Sequence, residues 1–316
     1  MNMTGMTFSN IKQVSAGDTS TVMIRLGTFN TDTTDNFVIY NVTAEQSTIP
    51  LFEMGSLQET SNSSRSFRMS SIKYVDSMFE FSQDLIVFGN VETESDFEIT
   101  IDDVTMYNLT FSRFGSLIKF RQQTIKPLKM SNCMFNNIYG SSINLESANI
   151  KNADIKTSVE ITNMTVYEIS GGTNSFIVNR EGGDLTVTDS TFTHIDNIEN
   201  GAVINGNFQN SRSTFHNCTF TRNTAYYGGV ANVQDGSVVK FYDSTFINNF
   251  AIQAGVIQVT SEGYFEMYDC DIQDNYALSL PVAEIFIVSQ ASIIDNSTFK
   301  NNIAYTKEYI LNELVN

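Results

Sequence analysis

A short motif recurs along the chain at a nearly constant interval, and it restricts the possible folds more than any other feature. Its clearest copies read DSTF, NCTF, DSTF, DCDI and NSTF, and their last residues, the anchors, are Phe192, Phe220, Phe246, Ile272 and Phe299. Successive anchors lie 28, 26, 26 and 27 positions apart. A unit of this length cannot bury an apolar face alone and has to stack on its neighbours. The repeat therefore predicts a protein whose core is shared by all units.

A second motif keeps a fixed distance from the anchors. Valine stands ten residues after three of them, at Val230, Val256 and Val282. Asparagine stands three residues after four of them, at Asn223, Asn249, Asn275 and Asn302. Weaker copies of the first motif continue toward the N-terminus, with anchors at Phe8, Ala44, Phe79, Phe111, Phe135 and Val166. Because two motifs hold one register over several units, chance is an insufficient explanation.

The residues between the anchors favour strands. Segments such as VVKFYDSTF and LTVTDSTF alternate apolar and polar residues, and no segment sustains a helical period. We expect an all-β fold, namely a right-handed, single-stranded parallel β-helix of about 11 coils. One domain over residues 1–316 is expected, with irregular coils and insertions over 1–100 and regular coils of about 26 residues over 101–316. Neither end shows a capping helix, so we expect a segment of a longer chain.

The repeat also resembles that of a known family. The strings FTRN…GGV, residues 220–230, and FINN…AGV, residues 246–256, are similar to the repeats of chlamydial polymorphic outer membrane proteins. Similar repeats occur in surface proteins of protists, including ciliates. The resemblance implies a right-handed parallel β-helix of the pectin-lyase-like kind and is close over roughly residues 185–310. Earlier coils depart from it, because Phe114, Ile138, Ile169 and Ile195 stand where later coils have Asn.

Side-chain parity predicts which residues face the core. Side chains alternate between the two faces of a strand, so the anchor and the residue two positions before it point inward. The cysteines Cys133, Cys218 and Cys270 all occupy that second position. Coils are about 4.8 Å apart, so Cys218 and Cys270, separated by one coil, lie beyond disulfide distance. We therefore expect three free, buried thiols.

The four asparagines that follow the anchors are expected to form a structural ladder. Asn223, Asn249, Asn275 and Asn302 would lie at a turn in successive coils. Stacked asparagine side chains can hydrogen-bond from coil to coil. We expect this role for them rather than a catalytic one.

Position −3 from the anchor is almost always Asn or Asp and is expected to face solvent. N-glycosylation sequons on this outward column are Asn108, Asn163, Asn217 and Asn296, and further sequons begin at Asn2, Asn41 and Asn62. One interpretation is a row of glycans on one face. The other is that a strand rich in Asn and Thr creates sequons as a by-product.

Few residues indicate catalysis or cofactor binding. Asp243, Asp269 and Asp271 form the densest acidic group, a weak candidate Ca²⁺ site, although a solvated acidic face is the simpler interpretation. No zinc-ligand spacing and no nucleotide-binding glycine motif is present. We therefore predict no catalytic residue and no cofactor.

The net charge of the chain limits the classes of partner that it can bind. A formal net charge of −17 argues against nucleic acid and against docking to anionic membranes. No apolar segment is long enough for direct membrane insertion. Protein partners, or self-association through uncapped ends, and glycans are the expected interactions.

Three functions follow as hypotheses. The first is a non-enzymatic extracellular or cell-surface structural protein, such as a rigid rod, adhesin or filament subunit, N-glycosylated on one face. The alternative is a carbohydrate-binding or polysaccharide-cleaving β-helix with a groove lined by the exposed tyrosines Tyr226, Tyr227, Tyr264 and Tyr268. The third is an intracellular scaffold, which free thiols permit.

Overall fold

The computed structural model forms a sheet of parallel strands that winds into a β-solenoid. It describes residues 2–11, 22–26, 36–54, 66–79, 84–89, 98–121, 127–146, 158–172, 174–180, 182–207, 210–286 and 291–305. No α-helix occurs within these ranges. The prediction of an all-β parallel β-helix is therefore confirmed, while the right-handed winding stays a prediction. Much of the sequence predicted as insertions before residue 100 lies outside the described ranges.

The strands are numbered in chain order. The N-terminal part forms β1 (Asn2–Ser9), β2 (Ile24–Leu26), β3 (Asn36–Glu45), β4 (Phe52–Met54), β5 (Ser66–Phe79) and β6 (Ile86–Phe88). The middle forms β7 (Glu98–Phe120), β8 (Leu128–Ser131), β9 (Met134–Leu145), β10 (Ser158–Thr162), β11 (Thr165–Gly172), β12 (Ile177–Asn179), β13 (Asp184–Thr188), β14 (Thr191–Asn197) and β15 (Ile204–Gly206). The next part forms β16 (Arg212–His216), β17 (Thr219–Thr221), β18 (Thr224–Tyr227), β19 (Ala231–Val233), β20 (Val238–Tyr242), β21 (Thr245–Ile247), β22 (Phe250–Gln253) and β23 (Ile257–Val259). The C-terminal part forms β24 (Tyr264–Tyr268), β25 (Asp271–Gln273), β26 (Tyr276–Ala277), β27 (Ala283–Ile285), β28 (Ile293–Asp295), β29 (Thr298–Lys300) and β30 (Ile303–Ala304).

Equivalent residues of successive turns form columns. Phe220 pairs with Phe246, and Phe246 pairs with Ile272. The complete anchor column is Phe8, Ala44, Tyr74, Met106, Phe135, Val166, Phe192, Phe220, Phe246, Ile272 and Phe299. About eight turns run from β7 to β30, and β1–β6 extend the same columns toward the N-terminus.

The anchor column lies at the centre of the core. Phe220 and Phe246 are fully buried, and their rings stack with centroids 4.9 Å apart and planes 15° apart. Phe241 packs edge-on against Phe246 at 5.1 Å. Aromatic pairs of this kind add about 0.5–1.5 kcal/mol beyond the burial of their area. A column of such contacts holds successive turns in one register.

One corner of each turn, here called the first corner, lies three residues before the anchor. Its backbone is left-handed, with φ of 50° at Asp243 and 54° at Asp269. Gly, Asn and Asp are the residues that adopt positive φ most readily, which explains the Asn and Asp column of the sequence. The residues of this first corner are Gly5, Asn41, Ser71, Asp103, Asn132, Asn163, Asp189, Asn217, Asp243, Asp269 and Asn296.

The second corner lies two residues after the anchor and has the same backbone conformation. Here φ is 49° at Asp76 and 55° at Asn108. Both residues lie three positions before the predicted anchors Phe79 and Phe111, so the motif predicted them in the first corner, and this prediction was wrong. They lie at position +2, on a different edge of the solenoid.

The same error affected two anchors. Phe79 and Phe111 pair with each other and lie five residues after the true anchors, Tyr74 and Met106. The cause is physical. Both corners have positive φ, and the buried Phe79 and Phe111 follow Asp76 and Asn108 by three residues, just as an anchor follows the first corner. One sequence motif therefore describes two different places in the turn.

Candidate functional site

The four asparagines after the second corner form a ladder along the C-terminal turns. The Nδ2 of Asn223 donates to the Oδ1 of Asn249 at 3.0 Å. The same bond joins Asn249 to Asn275 at 3.0 Å and Asn275 to Asn302 at 2.9 Å. The structure thus brings together all four predicted ladder residues.

Asn249 uses its full hydrogen-bonding capacity. Its Nδ2 also donates to the carbonyl oxygen of Phe220 at 3.0 Å, and its Oδ1 accepts the backbone N–H of Asn223 at 3.0 Å. Asn249 is fully buried. Burying an amide costs free energy unless it is hydrogen-bonded, whereas a fully bonded network favours one packing arrangement. The ladder is therefore a structural element that fixes the register of the turns.

Aliphatic residues fill the same column in earlier turns. These residues are Leu109, Ile138, Ile169 and Ile195. Leu109 stands where the sequence analysis placed Phe114, because Leu109 is the residue that pairs with Ile138. The column therefore changes from apolar packing to amide bonding along the stack.

The three cysteines are unpaired and buried, as predicted. The strand register places Ser244 between Cys218 and Cys270 in one column. The thiol of Cys218 donates to the carbonyl oxygen of His216 at 3.3 Å. Ser244 makes the equivalent bond to Tyr242 at 2.8 Å. Cys218 and Ser244 thus each donate a hydrogen bond to the backbone carbonyl two residues earlier, beside the first corner.

Burial makes these thiols unreactive. It raises the pKa of Cys133 and Cys218 to about 12 and that of Cys270 to about 11. Because the thiolate is the nucleophile and metal ligand, thiols with such pKa values stay inert near neutral pH. The cysteines serve as small core residues.

The sequon asparagines lie on the corners. Those on the first corner are Asn41, Asn163, Asn217 and Asn296, and all four are exposed. Asn108 is also exposed but lies on the second corner, contrary to the prediction of one shared column. Asn62 lies outside the described residues. The first corner therefore carries a row of accessible acceptor sites.

The corner side chains also bond to one another along the stack. The Nδ2 of Asn217 donates to the Oδ1 of Asp189 at 2.6 Å, and that of Asn163 donates to Asn132 at 2.7 Å. An N-linked glycan replaces only one of the two hydrogens on Nδ2, so the remaining hydrogen can keep this bond. Glycan attachment and corner bonding are therefore compatible.

The side chains of Asp243, Asp269 and Asp271 are not arranged as a set of metal ligands in the described structure. One oxygen of Asp271 accepts a hydrogen bond from Thr298 at 2.8 Å, and the other accepts one from Gln273. Among the residues that the structure describes, no three His, Cys, Asp or Glu side chains are arranged as metal ligands. The described structure therefore gives no support to the weak Ca²⁺ candidate.

The four tyrosines predicted to line a groove do not share one exposed surface. Tyr226 is 38% exposed and packs edge-on against Tyr227 at 4.5 Å. Tyr264 is only 7% exposed. Tyr268 stacks on Tyr242 at 5.3 Å. Parity predicts which face a side chain lies on and does not predict the burial that Tyr264 gains beside Glu266.

Tyr264 belongs to an ion-pair cluster on β20 and β24. Its hydroxyl donates to Glu266, and the Nζ of Lys240 lies 2.9 Å from the same carboxylate. Desolvation acts to raise the pKa of Glu266, but hydrogen bonds from Tyr264 and Lys240 outweigh it and lower that pKa. Desolvation and the bond to Glu266 raise the pKa of Tyr264 to about 12. The cluster is therefore an ion pair at neutral pH.

A polar cleft of about 220 Å³ lies beside β6, β7, β9 and β12. Part of its lining consists of small residues, namely Gly115, Ser116, Gly140, Ser141, Ser142 and Gly172. Its polar lining consists of Asp84, Lys119, Asn144, Glu146, Asn174 and Arg180. A Cβ on Gly140 would lie 2.7 Å from the carbonyl oxygen of Phe111, so a larger residue does not fit there.

Lys119 lies between two carboxylates in the polar cleft. Its Nζ is 3.4 Å from the Oδ2 of Asp84 and 3.2 Å from the Oε1 of Glu146. The Nε of Arg121 lies 3.2 Å from the other oxygen of Glu146. The side chain of Lys119 is only 13% exposed, so these contacts are less screened than ordinary surface ion pairs.

Asn144 adds an unused acceptor to the polar cleft. Its Nδ2 donates to the Oγ of Ser116 at 2.6 Å. Its Oδ1 is buried and has no hydrogen-bond partner among the described residues. Buried polar atoms are normally bonded, so an unused acceptor indicates a place for a ligand, a water or a reaction.

The polar cleft was not predicted from the sequence. Lys119 and Arg121 were not assigned any partners. Asp84 and Glu146 lie 35 and 27 residues from Lys119, in turns of unequal length. Opposite charges separated by about one turn could have predicted these ion pairs. Such a prediction requires the correct register between turns of unequal length.

Comparisons with known proteins add no family to this description. The scan against protein-family models found no match, and searches of curated proteins and of solved structures found no significant similarity. The class that the structure defines is that of parallel β-solenoids. The resemblance to polymorphic outer membrane protein repeats stays a prediction. Across the described ranges, no helix has the length and apolarity to span a membrane.

Proposed function

We propose that this chain is a non-enzymatic structural rod, located outside the cell or at its surface, that acts as a spacer, adhesin or filament subunit. The observation that carries the proposal is how the fold uses its polar side chains. The buried amide of Asn249 bonds to the turns on both sides, and Asn217 bonds to Asp189 across one step of the stack. The amide of Asn249 serves stacking alone and leaves no donor or acceptor for a substrate.

The exposed sequons support the extracellular location. Asn41, Asn163, Asn217 and Asn296 follow one edge, where a bulky glycan would not enter the core. Glycans on this edge would coat one side of the rod and leave the other sides free for partners.

Secretion from a eukaryotic host tests the location and the glycans together. The intact mass is measured before and after treatment with a glycosidase that removes N-linked glycans. We expect a mass decrease corresponding to several glycans, and peptide mapping should place them at the first corner. An unchanged mass would contradict the glycan proposal and favour the intracellular scaffold. Small-angle scattering of the deglycosylated chain tests the rod itself, because a spherical particle would contradict it.

The last described turn supports association through the end of the rod. Ile294 and Phe299 continue columns whose previous members, Met267 and Ile272, are fully buried, yet they are 42% and 50% exposed. Apolar side chains beside a strand edge that has no partner within the described residues favour pairing with another chain. Sedimentation of the purified chain should show concentration-dependent association that Phe299→Lys weakens. A monomer at all concentrations would contradict this part of the proposal.

Carbohydrate binding is the second candidate function, and the polar cleft is the observation that favours it. Lys119, Glu146 and Asn144 present a cation, an anion and an unused amide oxygen within one concave surface. Such mixed donors and acceptors suit a hydroxyl-rich ligand. A panel of polysaccharides tests it by calorimetry and by assay for new reducing ends. Binding that Glu146→Gln weakens supports the candidate, and no binding across the panel removes it.

A further inference from the structure

The polar cleft places a lysine and an asparagine side by side on neighbouring turns. Lys119 of β7 and Asn144 of β9 are register partners. Partner residues on one face of a parallel pair have Cβ atoms about 5 Å apart. The lysine side chain is longer than this step, so a change of rotamer can bring its Nζ to the Cγ of Asn144.

We propose that Lys119 and Asn144 form an intramolecular isopeptide bond that ties β7 to β9. The three chemical parts of the reaction are present within the cleft. Lys119 supplies the amine nucleophile, Asn144 supplies the carboxamide carbon, and Glu146, the nearer of the two carboxylates, supplies the base. The carboxylates lie 3.4 Å and 3.2 Å from the Nζ that has to lose a proton.

The reaction balances without an oxidant or a co-reactant. A proton passes from the ammonium group of Lys119 to the carboxylate of Glu146, which leaves a neutral amine. The Nζ lone pair then attacks the Cγ of Asn144, and the carbonyl electrons move to Oδ1, which the protonated carboxyl group can stabilise by hydrogen bonding. As the carbonyl re-forms, the bond from Cγ to Nδ2 breaks and ammonia leaves with protons from Nζ and the carboxyl group. The products are a secondary amide and an ammonium ion.

The surroundings of Asn144 favour this step. Its Oδ1 has no partner among the described residues, so no existing bond has to break when negative charge develops there. Ser116, itself 1% exposed, holds the leaving Nδ2 at 2.6 Å and so orients the amide. Glycines and serines leave open space through which ammonia can depart.

A second lysine–glutamate pair, on β20 and β24, lacks the electrophile. Lys240 lies 2.9 Å from Glu266, but its register partners are Thr214 and Glu266 rather than an asparagine. The chain therefore contains its own matched control, with the same charge pair and no carboxamide beside it.

Intact-mass measurement of the full chain tests the proposal. The chain is produced in a bacterial host, which avoids N-glycans, and is incubated after folding. We expect a mass about 17 Da below the sequence mass, since one ammonia is lost. Fragmentation should show one branched peptide joining Lys119 to Asn144. A folded chain with its full sequence mass, or a branched peptide elsewhere, would overturn the proposal.

Variants separate the crosslink from other losses of ammonia. Lys119→Arg keeps the positive charge but should restore the full mass, and Glu146→Gln should slow the mass decrease at least tenfold. Lys240→Arg should retain the decrease. Succinimide formation at Asn200 or Asn205, each followed by Gly, also removes ammonia but would persist in Lys119→Arg. Persistence of the decrease in that variant therefore contradicts the crosslink. The test is independent of carbohydrate binding and of glycosylation, because it detects a bond in the unliganded chain.

Discussion

The Nδ2 of Asn249 lies 3.0 Å from the Oδ1 of Asn275, in a part of the solenoid where both side chains are fully buried. The Nδ2 of Asn249 thus donates to the following turn, and its Oδ1 accepts from the preceding turn. A slip of one residue would place Asn248 or Phe250 at this position and break the ladder on both sides. The contact therefore specifies register as well as stabilising the fold.

Asn249→Ala should lower the free energy of unfolding by about 2–4 kcal/mol, because it leaves buried groups of the neighbouring turns unpaired. Among them is the backbone N–H of Asn223, which now donates to Asn249. Chemical denaturation followed by circular dichroism measures the change. Asn248→Gly is the matched control, since Asn248 is exposed and its φ of 56° suits glycine. Equal stability of the two variants would contradict a structural role for the ladder.

The first corner gives a second prediction. Asp243 has φ of 50°, a conformation that a β-branched residue adopts only with strain. Asp243→Val should therefore be about 1–2 kcal/mol less stable than Asp243→Gly at the same position. Thermal and urea denaturation of both variants measure the difference. If valine proved as stable as glycine, left-handed geometry would not explain the Asn and Asp column.

A gain-of-glycan experiment examines the exposure of the same corner. Asp243 is followed by Ser244 and Thr245, so Asp243→Asn creates a sequon one turn from that of Asn217. Secreted from a eukaryotic host, this variant should carry one glycan more than the parent chain. Adding Thr245→Ala to the variant removes the sequon and should return the parent mass. Absence of the extra glycan would show that the corner is not accessible to the modifying enzyme.

Alkaline pH should destabilise the chain through its buried thiols. The pKa of Cys218 is raised from 9.0 to about 12, so in the window between these values the folded state binds more protons than the unfolded state. Stability from this group is fully present below pH 9 and falls as the pH rises toward the folded pKa. Urea denaturation at pH 8 and at about pH 10 measures the loss. Tyrosines also titrate in this range.

A cysteine-free variant isolates the thiol contribution. Cys133, Cys218 and Cys270 are replaced together by serine, which the same column already accepts at Ser190 and Ser244. The alkaline loss of stability should be smaller in this variant than in the parent chain. An identical loss would assign the effect to other groups. In the folded parent, the three thiols should react with a thiol reagent only as fast as the chain unfolds.

The sequence predicted the solenoid and its inner face well, because period and parity are local properties. The spacing from Phe220 to Phe246 equals one turn, and alternation alone placed Ser244 inside and Asp243 outside. The same reasoning placed Asn249 in a coil-to-coil ladder. These predictions required only that neighbouring units be equivalent.

Sequence reasoning failed where two places in the turn have the same physical requirement. Asp76 and Asn108 fit the first corner and the second corner equally well, because both corners need positive φ before a buried apolar residue. The sequence alone could not decide between them without the pairing of Tyr74 with Met106. The polar cleft was missed for a related reason, since Lys119 meets Glu146 only when turns of unequal length are in register.

Translational equivalence of the corners also bears on how such a chain can change in evolution. One step along the stack carries Asp243 onto Asp269 and Asn249 onto Asn275. A gene duplication of one unit would therefore insert a turn whose corners, ladder amide and anchor meet matching neighbours above and below. Unequal recombination can thus lengthen or shorten the molecule in increments of about 4.8 Å without creating a new interface. The number of repeats in the gene therefore sets the length of the stack.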